Sequence, residues 1–316
     1  TKIRAGVSLV KSIRICPTTQ IAPPTRNAQT KSIPKHLGDS FARGAEMYTY
    51  QEEKMNQKTV FFDLDGTLLG TRNGRRFQIP PSALRALKQL RENGHRIAVC
   101  SGRQEAFIHK FFPGLFRSFV ALNGAHVFEG ETVLNRVLSP EQIRRLIGHF
   151  QPFGCRFVFV GRRHGWTYHV PPQLYPRMEE IYGLPGYLIP RWEPEQIQAG
   201  TMDFIFETEE EYDRCAGAFT GGLIINRHPG GLTSDLSFPD WNKAKGIEAF
   251  LRCSGIPKED TIAFGDGYND LPMMDAVGYA VAMGNAVDEI KQKADYVTAP
   301  IFEDGIEKGL RHLGLL

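Results

Sequence analysis

Two aspartates one residue apart, Asp63 and Asp65, close the apolar run Val60-Phe61-Phe62 and are followed at once by Gly66-Thr67-Leu68. In a parallel sheet the carboxyl ends of the strands face the ligand crevice, so a strand ending in acids presents them where substrates bind. Gly66 lets the backbone turn sharply while its neighbours approach an anion. Two acids at such a point can divide the work, one attacking or holding a metal and the other moving a proton. A solvated Asp-Gly turn after a strand would use the same residues, so the pair acquires meaning only from other segments.

Three further segments supply it. Ile97-Ala98-Val99-Cys100 is a second apolar run, ending in Ser101-Gly102-Arg103 just before a helix that begins near Gln104. Such a helix start offers free N–H groups and partial positive charge to a phosphate, with the Ser101 hydroxyl as an extra donor; alone, it is also an ordinary N-cap. Ile262-Ala263-Phe264 then delivers Gly265-Asp266-Gly267-Tyr268-Asn269-Asp270 into a glycine-rich turn. Asp63 and Asp266 can share a Mg²⁺, an ion that takes one or two carboxylates and leaves positions for waters and phosphate oxygens. The alternating acids and terminal glutamate of a calcium-binding EF-hand loop are missing, and Asp270 is expected to hold a water or a neighbouring residue rather than metal. Clustered carboxylates and a phosphate repel one another, so a cation must offset them. Trp241-Asn242-Lys243-Ala244-Lys245 offers two lysines, and spacing alone does not choose between them.

These segments need a scaffold. From Lys58 onward, short β-rich runs alternate with amphipathic helical stretches, the pattern of a parallel sheet covered on both faces. Pro80-Pro81-Ser82 opens a helix carrying Leu84, Leu87 and Leu90, which Asn93-Gly94 closes. The alternation stops at a hairpin over residues 125–134. Residues 139–238 read as an inserted α+β unit: Ser139-Pro140-Glu141-Gln142 caps a helix, runs at 156–160 and 166–170 flank a turn, and strand and helix signals continue to Asn226. The alternation resumes over 239–316. The chain is thus expected to be α/β, a Rossmann-like core of residues 58–138 and 239–316 with a cap of residues 139–238. Residues 1–57, with nine basic and four acidic side chains, scattered prolines and no sustained period, are expected to be poorly ordered.

Composition limits the alternatives. The 316 residues are 41% hydrophobic and 23% charged, enough for a large core and incompatible with collagen or wholesale disorder. No apolar run approaches the roughly 18 residues that would cross a bilayer. Net charge is +3, and beyond residue 57 the chain carries 29 basic against 31 acidic side chains, which argues against a dedicated nucleic-acid surface. Cys16, Cys100, Cys155, Cys215 and Cys253 are widely spaced, odd in number and contain no CxxC, which points to a reducing cytoplasm. No GxxxxGK[ST] loop occurs, which disfavours a nucleotide-dependent kinase.

In this order, with Asn123-Gly124 directly after the strand ending at Leu122, the segments resemble the haloacid dehalogenase superfamily, most closely its Cof-type sugar-phosphatase branch with a large α+β cap of class IIB, over residues 58–316. The resemblance implies a Mg²⁺-dependent phosphatase acting on a small phosphomonoester, expected to be a sugar phosphate, through an aspartyl-phosphate. It implies Asp63 as nucleophile, and Asp65 as acid/base and backbone-carbonyl metal ligand. Asp266 becomes a metal ligand, and Ser101, Gly102 and Asn269 become phosphate contacts. The family's lysine usually lies 23 positions before the metal-binding aspartate, which selects Lys243 over Lys245. Ser101 stands where threonine is commoner and keeps the hydroxyl. Arg103 and Asn123 are candidates for touching substrate. The cluster Arg162, Arg163, His164, Trp166, Tyr168 and His169 fits a half-buried hairpin as well as a sugar site and receives no role. A phosphomutase would share the aspartate chemistry. A non-enzymatic phosphate sensor would not need an acid at Asp65.

Overall fold

A computed structural model describes residues 57–220, 223–227, 233–238 and 240–316. The expectation for the N-terminal extension therefore lies, Gln57 apart, outside the described residues.

The first strand, β1 (Thr59–Phe62), is buried at every position, as a strand covered on both faces must be. An exposed hairpin, β2 (Gly70–Arg72) and β3 (Arg75–Gln78), follows the Asp63 turn. Helix α1 (Pro81–Glu92) has proline in its first turn and buries Ala83, Ala86, Leu87 and Leu90; of the three leucines read from the sequence, Leu87 and Leu90 lie on the buried face and Leu84 is half-buried at its edge. Next come β4 (Arg96–Cys100), α2 (Glu105–Phe111), β5 (Ser118–Ala121), β6 (His126–Glu129) and β7 (Glu131–Asn135).

Helix α3 (Pro140–Phe150) opens the cap with a capping box: the Ser139 hydroxyl accepts from Gln142 N at 3.2 Å, and Ser139 N donates to the Gln142 side chain at 2.8 Å. The cap continues through β8 (Arg156–Gly161), β9 (Gly165–Tyr168), α4 (Tyr175–Tyr182), β10 (Leu188–Ile189), β11 (Ala199–Ile205), α5 (Glu209–Ala216), β12 (Ile224–Arg227) and β13 (Thr233–Ser237). The chain re-enters the core at α6 (Lys243–Ser254), whose N-cap Asn242 accepts from Lys245 N at 3.1 Å. It ends through β14 (Thr261–Gly265), α7 (Leu271–Ala276), β15 (Tyr279–Ala282), α8 (Asp288–Lys293), β16 (Tyr296–Val297) and α9 (Gly305–His312).

The core sheet runs β16-β15-β14-β1-β4-β5-β6-β7 and is parallel from β16 to β5. The strands β6 and β7 pair antiparallel at its edge. The cap sheet runs β10-β9-β8-β11-β13-β12 and is antiparallel except for the pair β10/β9. The fold is therefore α/β with a Rossmann-like core and an α+β cap. The decisive placement is at the centre of the core: β14, β1 and β4 are neighbours, so the residues after their carboxyl ends converge at one crevice. Stacked Phe62 and Phe264 rings, centroids 5.2 Å apart, tie β1 to β14 on one face, and Phe61 meets Phe250 of α6 edge-on at 5.2 Å on the other.

Candidate active site

Asp63 leaves β1 with its N–H bonded to Phe264 O at 3.0 Å, which locks the turn to β14. Gly66 has φ +90, and a Cβ there would lie 1.9 Å from an Asp266 carboxylate oxygen. Only glycine lets the first turn approach the acid of the third. Thr67 Oγ1 donates to Asp266 Oδ1 at 2.8 Å, closing the two turns together.

Lys243, wholly buried at the start of α6, donates from Nζ to Asp63 Oδ1 at 2.5 Å and to Asp270 Oδ1 at 2.6 Å. Lys245, two residues on, is exposed and bonds Glu248 at 2.9 Å. The geometry thus separates two lysines that spacing leaves equal. Asp270 holds neighbours, as expected: besides Lys243, its Oδ2 accepts from the N–H groups of Asp266 at 2.9 Å and Gly267 at 3.0 Å. It also belongs to the acidic cluster, because Asp63, Asp266 and Asp270 offer carboxylate oxygens within 4.8 Å of one another.

The helix that brings Lys243 is admitted by a glycine pair. Gly124 has φ +96, and a Cβ there would sit 2.1 Å from Asn242 O. A Cβ on Gly246 would meet Val120 at 2.3 Å and Gly124 Cα at 2.7 Å. With side chains at either place, α6 would stand off from β5 and withdraw the ammonium.

Three carboxylates around one ammonium leave a net charge of −2 if all are ionised. Burial, opposed by Lys243 and reinforced by Asp270 and Asp65, pushes the Asp63 carboxyl up to about 7. Burial and then Asp63 and Asp270 push Asp266 well above the usual carboxylate range. For Lys243 burial favours the neutral amine, but Asp270 and Asp63 outweigh it and hold the ammonium charged. Oxygen donors, a deficit of two positive charges and carboxyls that resist ionisation together form a donor set that a divalent cation would complete.

The other expected residues surround this cluster. Ser101 is buried, and its Oγ accepts from Arg103 N at 3.2 Å. Asn269 Nδ2 donates to Asn123 Oδ1 at 3.3 Å, and Asn123 Nδ2 to Asp235 Oδ2 of β13 at 3.2 Å. Leu122 and Asn123 both have positive φ, +53 and +50, strain of the kind stored at functional turns. Gly102 leaves space that a Cβ would fill to 3.0 Å from Asp235. Arg103 holds Asp65 bidentately, Nε and Nη2 each at 2.6 Å, donates from Nη1 to Ile181 O of the cap at 2.8 Å, and lies 4.5 Å from the Phe107 ring centroid. Its neighbours are therefore the second acid and the cap.

The hairpin cluster of residues 162–169 divides between packing and surface, with Arg163, His164 and His169 exposed. Trp166 is buried, Tyr168 stacks on Phe157 at 4.6 Å, and Arg162 pairs with Glu105 of α2. The cap polar groups beside the motif residues are others, which the sequence reading missed. Asp203 and Asp235 face each other in register on β11 and β13, and Tyr182 OH donates to Asp203 Oδ2 at 2.9 Å. Their signal was available: each is a lone acid inside a strand, in Met202-Asp203-Phe204 and Ser234-Asp235-Leu236.

A family model for haloacid dehalogenase-like hydrolases matches residues 60–310. Bacillus subtilis (strain 168) YkrA is 31% identical over 269 residues, 83% of this chain and all of that protein. Pyridoxal phosphate phosphatase YbhA of Escherichia coli (strain K12) is 26% identical over 80% of this chain and 97% of its own length. Among solved structures, the subclass IIB sugar phosphatase BT4131 superposes with a TM-score of 0.68 at 28% identity, covering 82% of this chain and all of that one.

Proposed function

Because the chain belongs to the haloacid dehalogenase-like hydrolases and is a phosphoric monoester hydrolase, we propose that it cleaves a small sugar or polyol phosphate by way of an aspartyl-phosphate, with Mg²⁺ as its metal. The observation that carries this reading is the Lys243 ammonium shared between Asp63 and Asp270, with Asp266 beside them. Such a cluster holds one carboxylate forward as nucleophile while its neighbours stay in place.

Asp63 Oδ attacks phosphorus as the bond from phosphorus to the alcohol oxygen breaks, and Asp65, protonated once it turns out of the fork in which Arg103 holds its ionised form, gives that proton to the leaving alkoxide. Asp65 next takes a proton from water, the water oxygen bonds phosphorus, and the bond to Asp63 breaks, releasing phosphate. Lys243, the Ser101 hydroxyl, the turn amides near Gly102 and the Asn269 side chain hold the phosphoryl oxygens, which is where most catalysis of phosphoryl transfer originates. Asp63, Asp266 and the backbone carbonyl of Asp65 would hold Mg²⁺, which when bound neutralises charge on the transferring group. Asp203 and Asp235 accept from hydroxyls of the alcohol, which none of the motif residues read. Four free thiols among the described cysteines fit a reducing compartment such as the cytoplasm. Among the described residues no helix is long and apolar enough to cross a membrane.

The test is phosphate release from a panel of hexose, pentose and polyol phosphates, nucleotides and pyridoxal phosphate, with Mg²⁺ and with EDTA. The reading expects hydrolysis that EDTA abolishes, with the highest kcat/KM on a sugar or polyol phosphate. Turnover indifferent to EDTA, or a preference for nucleotides or pyridoxal phosphate, would overturn it.

A further inference from the structure

At the end of the core sheet away from the carboxylates, where β4 and β5 begin and β6 finishes, lies a cavity of about 320 Å³. Arg91, His95, Arg96, Arg117, Ser118 and Glu129 line it. It is separated from Ser101 by the length of β4, roughly 13 Å at the usual rise of a strand.

Its polar groups are incompletely used. Arg91 Nη1 donates to Leu115 O at 3.1 Å, and Arg96 Nη1 pairs with Glu129 Oε1 at 3.0 Å. Each guanidinium carries five N–H donors, so both keep donors in reserve. His95 is 5% exposed, and its Nδ1 accepts from Lys58 N at 3.1 Å. Nδ1 is thereby the acceptor of the neutral ring, the proton resides on Nε2, and that buried N–H has no partner. Burial, then Lys58, holds the ring neutral. Glu129 Oε2 is likewise buried without a partner. The lining thus has three cations against one anion, an orphan donor, and an orphan acceptor.

We propose that this cavity is a second binding site, taking the phosphate dianion, free or as the head of a small ester. The guanidiniums balance its two charges and the His95 Nε2–H donates to one oxygen. In the free hydrogen phosphate dianion the remaining O–H donates to Glu129 Oε2, and in an ester a hydroxyl of the alcohol does so. Sulfate brings the same charge with no donor, so Glu129 selects against it. The site is independent of the chemistry proposed for the crevice.

The experiment is calorimetric titration of the full chain in EDTA near pH 8, with inorganic phosphate, sulfate and glycerol 2-phosphate as separate probes. EDTA leaves the crevice acidic and hostile to anions, so binding in its presence reports this cavity. Inorganic phosphate or the ester should bind one to one, and whichever binds identifies the source of the ligand. Arg91→Ala and Arg117→Ala should each weaken that binding by about tenfold or more, the usual weight of a charge-assisted hydrogen bond. His95→Asn, which keeps an acceptor for Lys58 N and loses the Nε2 donor, should weaken it several-fold. Sulfate should bind about tenfold less tightly. Unchanged melting temperature and Mg²⁺-supported phosphatase activity in Arg117→Ala show that the fold is intact. No binding of either phosphate probe, undiminished binding in an Arg91→Ala/Arg117→Ala double variant, or sulfate binding equal to phosphate overturns the assignment.

Discussion

Arg103 grips both carboxylate oxygens of Asp65 at 2.6 Å and, with its remaining terminal nitrogen, the carbonyl of Ile181 in the cap. One planar guanidinium thus joins the proposed acid/base to the cap. A bidentate clamp fixes the direction of a carboxylate in a way that a point charge cannot.

Arg103→Lys should therefore lower kcat on a simple aryl phosphate by about 10- to 100-fold, the scale of a misplaced catalytic group. Because the lysine keeps the charge but loses the fork, KM should change less than kcat. Steady-state kinetics with both parameters resolved decide it, and an unchanged kcat would refute the orienting role.

The two lysines of α6 should part company. Lys243→Met leaves Asp63 and Asp270 buried without their cation and should cost about 3–5 kcal/mol of stability, together with activity. Lys245→Met loses only an exposed pair with Glu248, worth about 0–1 kcal/mol. Urea melts of both variants test this; equal destabilisation would contradict the buried triad.

Asp63→Asn keeps the shape and removes the nucleophile. Turnover should fall by about 10³-fold or more, as when a nucleophile is deleted from a catalytic unit, while circular dichroism stays native. Retained hydrolysis would reassign the attacking group.

In the metal-free protein the Asp63 carboxyl is held up to about 7, first by burial. A cation binds the ionised form, so protons compete with it below that pH and cease to compete above. Apparent Mg²⁺ affinity should fall as pH drops from 8 to 6, and binding at the lower pH should release protons. Calorimetry in buffers of different ionisation enthalpy reads both effects; an affinity flat over this window would exclude Asp63 as a ligand.

Gly124→Ala forces a Cβ to 2.1 Å from Asn242 O at a φ of +96. A destabilisation of about 3 kcal/mol is expected from strain and overpacking together. A melting temperature equal to wild type would mean that α6 can retreat freely.

The legible parts of this molecule were those with a short-range signature. The runs 60–62, 97–100 and 262–264 are apolar throughout and end in turn residues, so their burial and the convergence of their ends on one crevice could both be read. The hairpin β2/β3 escaped notice because it is almost wholly exposed and shows no alternation. The strand β13, Thr-Ser-Asp-Leu-Ser, carries one large apolar residue, and its pairing with β11 supplies what propensity does not. Arg103 and Asp65 lie 38 positions apart, and Asn123 and Asp235 lie 112 apart. No local pattern reports contacts that only the assembled sheets create. The depth that separates Lys243 from Lys245 belongs to the same class.

The placement of the proposed catalytic groups on β14, β1, β4 and the head of α6 has an evolutionary corollary. The proposed chemistry is written into one sheet, whereas the carboxylates proposed to meet the leaving alcohol belong to another, tied to the first by bonds of Arg103, Asn123, Lys110 and Arg162 among others. On that proposal, substitutions on β11 and β13 should retune which alcohol is accepted while the groups on β14, β1, β4 and α6 keep their register. A lineage built this way diversifies its diet without reinventing its teeth.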